Sequence, residues 1–302
     1  MQRLDELYQE YKKWGIDCSC EEPLARHTSF RIGGPAGLFA APKNQEALCR
    51  AVRLCRQAQA PLLILGKGSN LLFSDAGYNG VVLFTGELEE ELTLQGGSCI
   101  LASAGVPLTK LCRFAAQHNL SGLEFAYGIP GSLGGAVFMN AGAYGGEMAG
   151  VLQSVTYLDE AGELVTKPVE ELELGYRTSL FNHTNTCILQ ASLALHPGSE
   201  AEITETMNGF LQRRKEKQPL EYPSAGSAFK RPEGAFAGAL IEQSGLRGFR
   251  VGGAAISEKH CGFIVNRGGA TCADVLRLAD EVQRIVKEKT GYTLEKEIRV
   301  VE

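Results

Sequence analysis

Apolar residues recur at helical spacing in five stretches of this 302-residue chain. The strongest stripe predicts a helix over about 273–289, with Thr271 and Asp274 as a capping box before it and Gly291 as its stop. The other stretches share the same three- to four-residue period, which predicts helices over 2–14, 44–58, 108–118 and 201–217.

Short apolar runs bounded by glycine, proline or asparagine predict strands between these helices. The runs at 61–65 and 81–84 follow the helix over 44–58 and give the chain a βαβ-like beginning. Further strands are predicted over 98–103, 151–158, 187–195 and 294–301. We place domain boundaries near 90 and near 200, which divides the chain into 1–90, 91–200 and 201–302.

Length and charge narrow the possible classes of protein. A chain of this length suits two or three domains. The formal net charge of −5 argues against a nucleic-acid-binding surface, which needs clustered Lys and Arg. The sequence has no apolar run of about 18 residues, and its first nine residues lack the apolar core of a secretion signal, so we expect a cytoplasmic protein without a membrane span.

Nine cysteines are scattered along the chain, and no two of them form a CxxC pair. Zinc sites usually need such pairs or spaced histidines, so we expect no metal site. Cys18 and Cys20 are too close together for easy bridging. We therefore interpret these two as free thiols, and most of the nine as small buried apolar residues in a reducing compartment.

A glycine-rich but apolar segment runs from Tyr127 to Gly145. Flexible linkers are polar, whereas this segment contains a run of apolar residues, Ala136 to Met139. Glycine is used where a side chain would collide with a ligand, and exposed backbone N–H groups suit a pyrophosphate. A tight loop within a sheet domain is the alternative, and composition alone leaves both open.

Two further glycine-rich segments precede this one. Gly66 to Leu71 follows a predicted strand but lacks the third glycine of GxGxxG, so a dinucleotide-binding Rossmann unit is disfavoured. Arg31 to Gly34 adds a cation beside two glycines. Three separate segments of this kind suit a long, folded cofactor, and three unrelated turns are the alternative.

Three isolated side chains could carry chemistry. Arg177 lies in a segment without other charges, residues 175–181, and Ser227 follows a glycine. Glu297 shares one face of the predicted last strand with Glu295. Taken alone, they are a surface arginine, a loop serine and a solvent-facing carboxylate.

Taken together and in order, these motifs resemble the UDP-N-acetylenolpyruvoylglucosamine reductase family. The resemblance runs from about residue 26 to the C-terminus. It rests on Arg31-Ile-Gly-Gly34, Gly66-Lys-Gly-Ser-Asn-Leu-Leu72, Gly128-Ile-Pro-Gly-Ser-Leu-Gly-Gly135, Asn140-Ala-Gly-Ala-Tyr-Gly145, Tyr176-Arg177, Gly226-Ser227, Ser257-Glu-Lys-His260, Gly262-Phe-Ile-Val-Asn266 and Glu297-Ile-Arg299.

The resemblance implies a cytosolic flavoenzyme of bacterial peptidoglycan synthesis. It implies an α+β protein with the FAD-binding fold of the vanillyl-alcohol oxidase (PCMH) type, in which two α+β subdomains bind FAD, here over about 27–200. A C-terminal α+β domain would bind the UDP-sugar substrate. FAD would be non-covalent and reduced by NADPH, and the product would be UDP-N-acetylmuramate.

The resemblance also assigns residues. Ser227 would be the proton donor, with Arg177 and Glu297 as the other catalytic residues. Lys230, His260 and Asn266 are weaker candidates for substrate binding, and His260 as a packed polar residue is the alternative. The implied FAD-binding residues are Arg31, Gly33, Gly34, Gly66, Gly68, Ser69, Asn70, Leu71, Gly128, Pro130, Gly131, Ser132, Gly134, Gly135, Asn140, Ala141 and Gly142.

The chain departs from the family pattern in places, and two other functions stay open. Ala228 and Arg231 replace an aromatic residue and an asparagine of some members, and the compact stretch 230–270 resembles a shorter subclass without an extra substrate-closing loop. An FAD oxidase of the same fold is one alternative, although 128–146 has no His or Cys to bind flavin covalently. A non-enzymatic flavin or sugar-nucleotide module is the other.

Overall fold

The computed structural model describes residues 2–302, so Met1, the first residue of the predicted division 1–90, lies outside the described residues. The chain forms two compact units. The N-terminal unit comprises the chain up to Cys20, Leu38–Lys67 and Gly80–Arg214, and the C-terminal unit comprises Glu21–Gly37, Gly68–Asn79 and Lys215–Glu302. The division into three domains stays a prediction.

Residues 2–302 contain seven α-helices, and the five predicted helices are confirmed to within two residues at each end. The two that the pattern missed, α4 and α6, are short and contain glycine, which hides a helical period. The helices are α1 (Gln2–Lys13), α2 (Gln45–Gln57), α3 (Leu108–Gln117), α4 (Leu133–Phe138), α5 (Glu200–Lys217), α6 (Ala237–Gln243) and α7 (Cys272–Thr290).

The strands are mostly short, and many have only two to four residues. They are β1 (Asp17–Pro23), β2 (Pro35–Ala41), β3 (Leu62–Leu65), β4 (Leu71–Phe73), β5 (Tyr78–Phe84), β6 (Leu92–Gln95), β7 (Cys99–Ser103), β8 (Leu120–Ser121), β9 (Gly142–Ala143), β10 (Gly146–Glu147), β11 (Leu152–Leu158), β12 (Leu164–Pro168), β13 (Cys187–Ala194), β14 (His196–Pro197), β15 (Ser224–Ser227), β16 (Arg250–Val251), β17 (Ala254–Ile256), β18 (Phe263–Asn266) and β19 (Arg299–Val301).

Two sheets organise the N-terminal unit. The first has the order β1-β2-β5-β3 and contains a parallel β3–β5 pair, with Leu62 opposite Val81. Only β4 and no helix lies between these two strands, so the βαβ-like beginning stays a prediction. The second is antiparallel, with the order β12-β11-β13-β7-β6. Each sheet buries its own apolar cluster: α1 and α2 contribute to the first cluster, and α3 and α4 to the second.

The C-terminal unit is built on the antiparallel sheet β15-β18-β17-β16. Neighbouring residues of β18 point to opposite faces, because side chains alternate along a strand. Ile264 joins α6 and α7 in the main cluster, whereas Phe263 and Val265 pack with Tyr222 on the other face. α7 has the predicted capping box, and Gly291 ends it with a φ of 78°.

The predicted strand over 294–301 is wrong for most of its length, since β19 covers only Arg299–Val301. Residues 294–298 form no regular strand. Their one β-bridge is antiparallel and joins Lys296 to Phe229, in the segment after Ser227. Glu295 and Glu297 therefore do not share the face of one strand. No helix within residues 2–302 is both apolar enough and long enough to cross a bilayer.

Candidate functional site

In the N-terminal unit, the glycine-rich segment holds an unpartnered hydroxyl. Ser132 is 2% exposed, and its Oγ has no hydrogen-bond partner among residues 2–302. A Cβ added to Gly66 would lie 2.7 Å from this Oγ, so the end of β3 approaches it closely. Buried hydroxyls without a partner are rare because desolvation costs about 1–3 kcal/mol. This one is therefore available to a ligand.

Gly135 marks open space beside the same hydroxyl. It is exposed, and an added Cβ would meet only Ser132 Oγ, at 3.8 Å. Glycine within a helix costs about 1 kcal/mol relative to alanine, yet no neighbouring protein atom requires it here. A glycine that the chain's own packing does not explain, next to an unsatisfied donor, fits residues that receive a phosphate-bearing cofactor such as FAD.

Other glycines have a structural explanation instead. A Cβ at Gly134 would lie 2.9 Å from Ala104 Cβ, and one at Gly68 would lie 2.1 Å from the carbonyl oxygen of His27. Gly33 and Gly34 are similarly packed, against Phe73 and Asp75. Their contact with FAD stays a prediction, because tight packing alone accounts for glycine at these positions.

The remaining residues of the predicted FAD-binding set carry less information. Arg31 has a φ of 56°, and Leu71 begins β4, which pairs with β19. For the other members the contacts with FAD stay predictions: Ser69, Gly128, Pro130, Gly131, Ala141 and Gly142.

Asn140 supports the turn that carries Arg177. Its side chain is fully buried, its Nδ2 donates to the carbonyl of Gly175 at 3.0 Å, and its Oδ1 accepts from Ala149 N–H at 2.9 Å. Both ends of the amide are therefore used within the N-terminal unit. A positioning role for Asn140 follows directly from these bonds.

Arg177 itself is half-buried, with a left-handed φ of 58°. A guanidinium nitrogen donates to the carbonyl of Gly142 at 3.1 Å, and the guanidinium carbon lies 5.1 Å from the centre of the Tyr176 ring. The segment 140–142, predicted to bind FAD, thus also orients this cation.

In the C-terminal unit, hydrogen bonds to the backbone join three segments that are far apart in sequence. Glu297 N–H donates to the carbonyl of Ala228 at 2.9 Å, and Asn70 Nδ2 donates to the carbonyl of Glu297 at 3.2 Å. Arg299 N–H in turn donates to Asn70 O at 3.0 Å. Two of the predicted catalytic residues, Ser227 and Glu297, consequently lie on adjacent, paired stretches of chain.

Ser227 ends β15 opposite Phe263 and is half-buried. Its hydroxyl makes no hydrogen bond to any of residues 2–302. The strand is fixed at its other end, because Ser29 Oγ donates to the carbonyl of Ser224 at 2.7 Å. The backbone of Ser227 is therefore fixed while its hydroxyl has no hydrogen bond to the protein, which suits a side chain that contacts a substrate.

Two of the three predicted substrate-binding residues already have partners. Lys230 Nζ lies 2.5 Å from Glu295 Oε1. Asn266 is buried, its Oδ1 accepts from Gly268 and Ala270, and its Nδ2 lies 3.3 Å from the carbonyl of Phe30. These bonds give Asn266 a structural role at the end of β18.

His260 is held in a defined orientation. Its Nδ1 accepts a hydrogen bond from Gly262 N–H at 3.1 Å, and burial lowers the pKa of the ring. The ring is therefore neutral at pH 7, and its proton is on Nε2, because Nδ1 is the acceptor. His260 can offer a ligand one N–H donor.

Sequence reasoning missed a cavity of about 380 Å³ in the C-terminal unit. Its size is within the usual range for small-molecule sites. Its charged lining consists of three basic residues and two acidic ones, Glu221 and Glu258. The Arg267 guanidinium carbon lies 4.3 Å from the centre of the Tyr222 ring. The basic residues come from separate short strands and turns, Arg250, Lys259 and Arg267, so no local run in the sequence indicated them.

All nine cysteines are free thiols, which confirms the prediction made for Cys18 and Cys20. Burial raises the pKa of Cys112 and of Cys187 to about 12, so both remain protonated and unreactive at neutral pH. No cluster of three or more His, Cys, Asp or Glu suited to a metal ion occurs in the part of the chain described here, 2–302.

Comparison with known proteins places this geometry in a family. Residues 218–301 match the UDP-N-acetylenolpyruvoylglucosamine reductase C-terminal domain, and residues 36–167 match an FAD binding domain. A UDP-N-acetylenolpyruvoylglucosamine reductase of Lachnoclostridium phytofermentans is 50% identical over 94% of this chain and 92% of its own length. One of Clostridium perfringens is 47% identical over 99% of this chain and 96% of its own.

Solved structures agree. UDP-N-acetylenolpyruvylglucosamine reductase from Thermus caldophilus matches with a TM-score of 0.79 and 37% identity, over 95% of this chain and 99% of that one. Physcomitrella patens BBE-like 1, at 15% identity and a TM-score of 0.50, covers 63% of this chain and 44% of its own, and shows a likeness of fold alone. The predicted α+β FAD-binding fold is confirmed. The chain belongs to the UDP-N-acetylenolpyruvoylglucosamine reductase family, whose members are flavin-dependent oxidoreductases of peptidoglycan synthesis.

Proposed function

We propose that this protein reduces the enolpyruvyl group of UDP-N-acetylglucosamine enolpyruvate to the lactyl ether of UDP-N-acetylmuramate, with Ser227 as the proton donor and Arg177 and Glu297 as the other catalytic residues. The hydrogen bond from Glu297 N–H to Ala228 O carries the proposal, because it fixes Glu297 beside the serine. Non-covalent FAD, reduced by NADPH, supplies the hydride.

The three side chains divide the remaining work. As hydride reaches the terminal vinyl carbon, negative charge develops on the neighbouring carbon and its carboxylate. Arg177 stabilises this charge, and fixed cations aimed at developing charge are often the largest catalytic contribution. Glu297, in its protonated form, holds or polarises the oxygens of the enediolate-like intermediate. The Ser227 hydroxyl donates its proton to the carbanionic carbon, which completes the C–H bond.

Serine is a weak acid, so its role depends on its surroundings. The acceptor carbon is strongly basic, and a positioned hydroxyl without competing partners can transfer its proton to it. The absence of a hydrogen bond from Ser227 to residues 2–302 supports this assignment.

The proposal also assigns residues to the binding of FAD and of the substrate. Gly66, Ser132 and Gly135 contribute to the FAD site in the N-terminal unit. Lys230 and the Nε2–H of His260 contact the substrate, and the basic cavity beside Tyr222 receives its nucleotide. We also propose a cytoplasmic protein without a nucleic-acid partner, which the free thiols and the acidic net charge support.

Stopped-flow measurement of the two half-reactions tests the proton donor. Ser227→Ala should leave flavin bleaching by NADPH unchanged and slow flavin recolouring by the enolpyruvyl substrate about 100-fold or more. Ser224→Ala, on the same strand, is the matched control and should change neither rate. Equal slowing of both half-reactions in Ser227→Ala would show that the serine is not the proton donor.

A further inference from the structure

Arg177 has a backbone conformation that arginine normally avoids. It is the third residue of a tight turn in which Gly175 and Thr178 exchange backbone hydrogen bonds, at 3.1 and 3.2 Å. Its φ of 58° lies in the left-handed region, which glycine or asparagine usually occupies at this position of a turn. Such strain persists only where surrounding contacts hold the residue in place. A glycine would relieve the strain, so the turn is built around the arginine side chain.

Three hydrogen bonds hold this turn against the end of α4 and the residues that follow it. Before the arginine, Asn140 Nδ2 donates to the carbonyl of the first turn residue at 3.0 Å. The guanidinium of Arg177 donates to the carbonyl of Gly142 at 3.1 Å. After the arginine, Ser179 Oγ donates to the carbonyl of Phe138 at 2.7 Å, the shortest of the three bonds. The turn is therefore fixed on both sides of the catalytic candidate.

Ser179 is 1% exposed, and its hydroxyl is used both as donor and as acceptor. It accepts from Asn182 N–H in a capping box that begins the short 3-10 helix Leu180–His183. Two acceptors lie within reach of its one proton, and the carbonyl of Phe138 at 2.7 Å is closer than Asn182 Oδ1 at 3.0 Å. The side chain thus has a defined orientation, two residues after Arg177.

Ser103 has the same chemistry at a place without such a turn. It is also buried, its hydroxyl donates to the carbonyl of Glu89 at 3.1 Å, and it accepts from Glu91 N–H at 3.2 Å. Ser103 and Ser179 both belong to the N-terminal unit. The segments that Ser103 joins contain no candidate catalytic residue. This serine therefore separates the cost of losing a buried hydroxyl from any effect on Arg177.

We propose that Ser179 is a positioning residue for Arg177. Its bond to Phe138 holds the turn, so that the guanidinium stays directed at the negative charge that develops on the substrate. The inference rests on the proposed function, in which Arg177 stabilises that charge. The effect of Ser179 on the reaction passes through the arginine alone. A displacement of about 1 Å in a catalytic group can slow a reaction about 100-fold.

A double-variant cycle on the full-length holoenzyme tests the proposal. Ser179→Ala should leave flavin bleaching by NADPH at its wild-type rate and slow flavin recolouring by the enolpyruvyl substrate about 10- to 100-fold. In the Arg177→Met background, the same substitution should slow recolouring by less than about twofold further, because the group through which it acts is already gone. A serine with a purely structural role would multiply the two losses, and that result would overturn the proposal.

Ser103→Ala is the matched control. It should lower the melting temperature of the apoprotein about as much as Ser179→Ala does, yet keep both flavin half-reactions at wild-type rates. Equal slowing of bleaching and recolouring in Ser179→Ala, or slowed recolouring in Ser103→Ala, would contradict the positioning role. If Ser179→Ala does not fold, Ser179→Cys, which keeps the shape of the side chain and donates only weakly, replaces it in the same cycle.

Failure of the proposed function has a different signature. Wild-type holoenzyme that is bleached by NADPH but not recoloured by the enolpyruvyl substrate would refute the proposed function, and the role of Ser179 with it. Multiplied losses in a wild-type background that recolours would refute only the role of Ser179.

Discussion

The two units hold their candidate residues in different ways. In the N-terminal unit, the buried Ser132 hydroxyl of the glycine-rich segment lacks a partner. In the C-terminal unit, Glu297 N–H donates to the carbonyl of Ala228 and the Asn70 side chain donates to the carbonyl of Glu297, which holds the chain around Ser227. A site for a resident cofactor can leave donors unpaired, because the cofactor supplies the acceptors. A site that exchanges substrate must keep its geometry while empty.

The largest expected effect concerns Arg177. Arg177→Met should slow flavin recolouring by the enolpyruvyl substrate about 100- to 1,000-fold, the usual loss when a group aimed at developing charge is removed. Flavin bleaching by NADPH should keep its rate. Stopped-flow absorbance separates the two steps, and Arg177→Lys should recover part of the loss. A variant that bleaches and recolours at wild-type rates would remove Arg177 from the proposed site.

Asn140 tests how far the N-terminal unit depends on internal support. Asn140→Ala leaves the Gly175 carbonyl and the Ala149 N–H without partners and should reduce the free energy of unfolding by about 3 kcal/mol. Recolouring should also slow, because the turn of Arg177 loosens. Urea unfolding measures the first effect, with exposed Asn208→Ala as control. Unchanged stability would contradict the role assigned to this amide.

Replacing Ser132 should stabilise the apoprotein, whereas replacing Asn140 should destabilise it. Because its hydroxyl has no partner in the protein, Ser132→Ala should not destabilise the apoprotein and should raise its free energy of unfolding by up to about 1 kcal/mol. Kd for FAD should rise about tenfold. Unfolding of apoprotein and holoenzyme in parallel gives both numbers, and a destabilised apoprotein would mean that the hydroxyl has a structural partner.

The smallest effect is expected at the start of α7 in the C-terminal unit. Hydrogen bonds from the backbone of Gly253 and Thr271, and the nearby Arg277, lower the pKa of Asp274. The ionised form is therefore favoured in the folded state, and its stabilisation is present above the usual pKa of about 3.9 and lost as pH falls through the lower folded value. Asp274→Ala should cost about 1 kcal/mol at pH 7. The difference from wild type should shrink below about pH 4, as urea unfolding across pH would measure.

Local signals predicted some elements well. Asn44 and Thr271 are N-caps whose side chains bond the first turn of α2 and of α7, and such bonds depend only on residues three apart. The C-terminal sheet gave no comparable signal, since its strands have two to four residues and are stabilised by partners from distant segments. Glycines were harder to interpret: Gly34 and Gly135 look alike in sequence, yet only the first is packed against the chain itself.

The sequence by itself determined the capped helices and the order of the glycine-rich motifs, because these depend on neighbouring residues and on motif order. It also proposed Ser227, Arg177 and Glu297 as candidates, through the same motif order. Only the tertiary structure decided that Glu297 pairs with the chain after Ser227, that the Asn266 amide bonds to three groups of its own unit, and that the buried Ser132 hydroxyl lacks a partner. Whether a polar group is satisfied depends on atoms brought close by folding from far along the chain. Sequence spacing does not contain that information.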